Sequence, residues 1–68
     1  MFLKLTNNID GLKGDPIYIN MDHVKSIYER QIPEGGFVTE LFSDTNLVWF
    51  VEESPALIYK MLQGATLI

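Results

Sequence analysis

Leu47-Val48-Trp49-Phe50-Val51-Glu52-Glu53-Ser54-Pro55-Ala56-Leu57-Ile58-Tyr59-Lys60-Met61-Leu62 is the stretch that decides the fold. Five apolar residues run unbroken, which suits a strand covered on both faces. Ser54 and Pro55 then give a helix start: a capping hydroxyl, followed by the one helical position where proline fits. Leu57, Ile58, Met61 and Leu62 form a single apolar stripe at helical spacing. Gly64 is the expected stop, so the spacing predicts a helix over about 55–63.

Upstream of this point the chain alternates. Phe2-Leu3-Lys4-Leu5-Thr6 places Leu3 and Leu5 on one face of a strand. Asn7 to Asp15 carries two Asn, two Asp and two Gly, which is loop chemistry. Ile17-Tyr18-Ile19 resumes the strand pattern, with Tyr18 outward. Asn20-Met21-Asp22-His23 breaks it, and Asp22 is the expected cap of a single helical turn. Ser26 to Gln31 continues as a strand, and Ile32-Pro33-Glu34-Gly35-Gly36 turns the chain. Phe37 to Phe42 and Leu47 to Val51 form a hairpin across Ser43-Asp44-Thr45-Asn46. In that hairpin Phe37, Thr39 and Leu41 share one face, and Val38, Glu40 and Phe42 the other. Leu47, Trp49 and Val51 oppose Val48 and Phe50 in the same way.

Short connections between sequential strands imply antiparallel pairing. The expected fold is mainly β with one C-terminal helix (α+β). It is a small five-stranded antiparallel bent sheet or open barrel, in one domain spanning residues 1–68. The order of pieces resembles the small flagellar FlbD-type (SwrD-like) bacterial family. Leu3-Lys4-Leu5-Thr6, Pro16-Ile17-Tyr18-Ile19-Asn20, Asp22-His23-Val24-Lys25-Ser26-Ile27-Tyr28-Glu29, Val38-Thr39-Glu40-Leu41 and Val51-Glu52-Glu53-Ser54 carry the similarity. The chain departs from that family in its longer first loop, in Asp44-Thr45-Asn46-Leu47 where the family favours Asn-Gly-Lys-Lys, and in a helix poor in glutamate. The resemblance implies a compact β fold and an accessory role in bacterial motility.

Composition narrows the function. Sixty-eight residues hold one small core, and small cores usually need a disulfide, a metal or a partner. Cysteine is absent and histidine occurs once, so no disulfide, metal or cofactor is expected and a homo-oligomer is. The apolar fraction of 47% argues against disorder. No apolar run approaches the roughly 20 residues of a membrane span, and Met1 to Thr6 lacks a basic region, so a cytoplasmic protein without membrane insertion is expected. Net charge is −4, all of it in residues 34–68, where Lys60 stands against Glu34, Glu40, Asp44, Glu52 and Glu53. No cluster of Lys or Arg exists to grip phosphates, so nucleic acid is not expected as a partner.

Candidate chemistry is sparse. His23 is the one general base near neutral pH, beside Asp22, and it reads as a turn histidine. Asn7, Asn8, Asp10 and Asp15 lack the spacing of a calcium loop. Gly11-Leu12-Lys13-Gly14 lacks the helix that follows a nucleotide loop. Glu52 and Glu53 read as acids favouring the positive end of the helix. An enzyme is therefore not expected. The informative group is aromatic: Phe37, Phe42, Trp49 and Phe50 lie on strands apolar on both faces. One face must be core, and large exposed apolar patches usually mark contacts. The candidate protein interface is Phe42, Trp49, Phe50, Leu67 and Ile68, with Trp49 preferred for the contact side for its bulk and its polar indole N–H. Two alternatives remain: a phage or mobile-element accessory protein that binds a host protein, and a small-ligand site or enzyme near His23 and Tyr18.

Overall fold

The computed structural model describes residues 1–66, the side chains of Ala65 and Thr66 excepted. Five strands and one helix follow in order: β1 (Phe2–Thr6), β2 (Pro16–Asn20), β3 (Val24–Gln31), β4 (Phe37–Ser43), β5 (Val48–Val51) and α1 (Pro55–Thr66). A single 3-10 turn, Met21–His23, joins β2 to β3. The strands make two antiparallel ladders, β1–β2 and β3–β4–β5. The ladders meet where β1 runs on past Thr6. Asn7 bridges Val51, the Asn8 N–H donates to the Phe50 carbonyl at 2.9 Å, and the Glu52 N–H donates to the Thr6 carbonyl at 2.9 Å. The spatial order is thus β2-β1-β5-β4-β3, a bent sheet whose two halves are hinged at this narrow seam.

The bend encloses the core. Leu3 and Leu5 of β1, Ile19 of β2, Leu41 of β4, Val51 of β5 and Ile58 of α1 are buried, with Ile27, Met61 and Leu62 packed around them. Each buried aliphatic side chain contributes about 2 kcal/mol by leaving water. The helix lies over the open side of the bend against β3. Ile58 is fully buried, whereas Leu57 and Tyr59 remain exposed.

The helix starts where the Ser54-Pro55 signal places it. The Leu57 N–H donates to Ser54 Oγ at 3.1 Å, satisfying one of the free amides of the first turn. Ser54→Ala therefore lowers stability by about 1 kcal/mol, read as a shift in the urea midpoint. An unchanged midpoint would show that solvent serves that amide equally well.

Four local expectations are corrected. The helix does not stop at Gly64 but continues to Thr66. The turn after β2 is capped by Asn20, whose Oδ1 accepts the Asp22 N–H at 3.1 Å. Asp22 instead accepts the N-terminal ammonium at 3.0 Å. Leu47 precedes β5 and is exposed, because the hairpin closes tightly: Ser43 N–H donates to the Leu47 carbonyl at 2.9 Å, and Asn46 takes a left-handed φ of 67°. Glu53 does not simply favour the helix dipole. Its Oε1 accepts the Thr6 N–H at 2.9 Å and its Oε2 accepts the Thr6 hydroxyl at 2.8 Å, pinning the end of β1 to the start of the helix.

Candidate functional site: the outward face of the β3–β4–β5 sheet

Register decides which aromatics share a face. Leu41 stands between Ile27 and Trp49, and Thr39 between Glu29 and Val51. Leu41, Thr39 and Val51 are buried, so this is the core side. Trp49 is on it, half-buried against the core cluster. This corrects the preference for Trp49 on the contact side: the β4–β5 register puts it beside Leu41, where it packs against the core cluster.

The opposite side of the same sheet is also largely apolar. Phe42 stands between Ser26 and Val48, Glu40 between Tyr28 and Phe50, and Val38 opposite Arg30. Tyr28 and Phe42 meet edge to face, ring centroids 5.5 Å apart at 88°. Val38, Phe42 and Phe50 are half-buried, and Tyr28 is 53% exposed. The loop residues Asn8, Asp10 and Lys13 border the Val38 and Phe50 end of this side, while Tyr28 and Val48 stay exposed. Phe42 and Phe50, both expected at an interface, are brought together on it. Leu67 and Ile68 lie outside the described residues.

At the centre of this face sits a group that alternation alone reads as solvated. The Glu40 side chain is only 8% exposed, and Arg30 covers it. Arg30 Nε and Nη2 both donate to Glu40 Oε1, at 2.9 and 2.6 Å. Two donors on one oxygen make a strong charge-assisted contact. Arg30 itself stays 60% exposed, its stem laid over the carboxylate and its outer edge in water. The signal in the sequence was Arg30 and Glu40 at outward positions on neighbouring strands, legible only once the β3–β4 register is known.

The His23 region has a different character. His23 Nδ1 lies 3.3 Å from Asp44 Oδ2, and the Asp44 N–H donates to the His23 carbonyl at 2.9 Å. A hollow of about 270 Å³ adjoins them, lined also by Asn20, Leu47 and Trp49. Tyr18 does not reach it; it stands on β2 opposite Lys4, 63% exposed. The hollow that the alternative reading places near His23 and Tyr18 is thus lined by His23 without Tyr18. The nearby Ser43 hydroxyl is buried and committed, accepting the N–H groups of Thr45 at 3.1 Å and Leu47 at 2.9 Å and bonding the Thr45 hydroxyl at 3.0 Å. It is a turn fastener, not a nucleophile presented to the imidazole. Among the described residues, no group of three His, Asp or Glu side chains is placed to hold a metal ion. No helix among them is long and apolar enough to cross a membrane.

Comparison with protein-family models, with curated proteins and with solved structures finds no match.

Proposed function

We propose that this chain is a non-enzymatic interaction module that associates with copies of itself through the outward face of the β3–β4–β5 sheet. The observation that carries the reading is the face itself. Tyr28, Phe42, Phe50, Val38 and Val48 surround the Arg30–Glu40 pair, whose carboxylate is nearly dry, and Tyr28 and Val48 are exposed. Aromatic anchors with a central arginine are the composition of binding surfaces. A chain of 68 residues without cysteine gains most from such burial. The FlbD-type resemblance supports an accessory role in bacterial motility for the assembled module. Binding of a host protein by a phage-encoded copy is the same surface put to another use.

Light scattering across a concentration series tests association. A mass above 7.8 kDa at micromolar concentration is expected, and a monomer throughout overturns the reading. Substitutions on the two faces then separate. Trp49→Asp places an unpaired charge on the core side and unfolds the chain, at a cost of several kcal/mol. Phe42→Asp leaves a folded chain by circular dichroism but dissociates it. Phe42 is the better probe than Phe50, whose replacement would set a second carboxylate directly opposite Glu40. A Phe42→Asp variant that is folded and keeps the parent mass removes the outward face from the interface.

A further inference from the structure

We infer that two copies pack face to face with their sheets turned end for end, so that Lys25 of each copy meets Asp10 and Glu34 of the other. This deepens the proposed self-association and rests on it; what it adds is the orientation. The outward face carries an unpaired lysine at one end and, at the other, two carboxylates that outnumber the single Lys13 beside them. At one end, Lys25 lines a hollow of about 260 Å³ with Tyr28, Arg30 and Phe42. Lys25 is the extra residue of a bulge: Val24 pairs with Ser43 and Ser26 with Phe42, so nothing on β4 stands opposite it. Bulges re-aim side chains. At the other end, Asp10 and Glu34 border a hollow of about 500 Å³ with Lys13, Val38 and Phe50.

Lys25, Asp10 and Glu34 are all exposed, and their side chains have no hydrogen-bond or ion-pair partner among the described residues. The strand between the two ends spans roughly 20 Å, beyond any direct pairing and beyond the screening length of physiological salt. Only a second molecule can bring these charges together. A two-fold axis lying in the interface across the strands sets each Lys25 over the partner's acidic end, making the contact twice by symmetry. An axis along the strands sets like ends together, which is repulsive. Between the ends, Tyr28, Phe42 and Phe50 of both copies supply the apolar centre, and each Arg30–Glu40 pair is already neutral within its own chain.

Sedimentation analysis of charge-reversed chains tests the orientation. Lys25→Glu and Glu34→Lys are each expected to weaken dimerisation about tenfold, because each change acts at two symmetric contacts. The double variant Lys25→Glu/Glu34→Lys is expected to return to within about threefold of the parent. Crosslinking gives an independent readout in a chain without native cysteine: a mixture of Lys25→Cys and Glu34→Cys chains forms a disulfide-linked dimer faster under oxidant than either variant alone. A dimeric parent whose double variant is weaker than either single, or whose cysteine variants crosslink best with themselves, overturns the orientation and leaves self-association standing. A parent that stays monomeric overturns both. A monomeric parent that takes up an oligothymidine on this face would assign the aromatics to single-stranded nucleic acid instead.

Discussion

Leu41→Ala is expected to leave the chain substantially unfolded at 25 °C. Leu41 is fully buried at the middle of the central strand of its sheet, between Ile27 and Trp49, in one cluster with Leu5, Val51 and Ile58. Removing three carbons there costs about 3–4 kcal/mol, since the rigid strands on either side cannot collapse into the space. A core in a chain of this length supplies only about 3–5 kcal/mol of net stability, so the substitution consumes nearly all of it. Circular dichroism at low micromolar concentration should show a lost or non-cooperative urea transition. Leu41→Met, which keeps the volume, should cost less than about 1.5 kcal/mol and retain cooperativity. A Leu41→Ala chain that melts cooperatively within a few degrees of the parent would show that the cluster is not the folding core.

Arg30→Met is expected to destabilise more than Glu40→Met, although the two remove the same ion pair. The asymmetry follows from exposure: the Glu40 side chain is 8% exposed and Arg30 60%. Without Arg30, a nearly buried carboxylate loses both donors to its Oε1 and has little water to replace them. Breaking a fully buried pair in this way costs about 3–5 kcal/mol, and the partial exposure here lowers the expectation to about 2 kcal/mol. Without Glu40, the guanidinium turns into solvent and the methionine adds apolar contact, so the loss should stay under about 1 kcal/mol. The double variant should lie close to Glu40→Met, because the charge that suffers from losing Arg30 is then gone. Urea midpoints of the four chains give the answer. Equal losses for the two single variants would mean that water serves Glu40 as well as Arg30 does.

The elements were legible because their local signals agree. Leu3 and Leu5, then Ile17 and Ile19, alternate cleanly, and the buried positions of β1 and β2 follow that alternation. Ser54-Pro55 marks the helix start through a cap that the structure contains. What alternation could not supply was the identity of the core face where both faces are apolar. Trp49 and Phe50 are equivalent to a period-two reading, and only packing against Leu41 and Val51 puts Trp49 inside. Polar residues were harder still. Glu40 sits at an outward position, where a charge ordinarily meets water, and is dry because a neighbouring strand happens to carry Arg30 alongside it. Glu53 stood next to a helix start and invited a local explanation, whereas its partner is 47 residues away. Gly64 remains helical since no left-handed turn is required of it there. The candidate interface was legible as two aromatic strands; its boundary, and the pairing at its centre, depend on contacts between residues distant in sequence.

The clasp between Thr6 and Glu53 bears on how the chain is made. The last strand ends at Val51 and the helix begins at Pro55, yet the amide and hydroxyl that the Glu53 carboxylate between them receives belong to the sixth residue. During synthesis β1 and β2 can form their hairpin early, but the free side of β1 has no neighbour until β5 and the Glu53 carboxylate emerge. The β3–β4–β5 meander matures just as late, and Ile58, which seals the core, later still. Folding of this protein therefore waits until Glu53 and Ile58 have been made. A nascent chain stalled short of residue 53 would expose the apolar sides of both ladders together, which makes it the species most prone to capture by chaperones or by other unfinished copies.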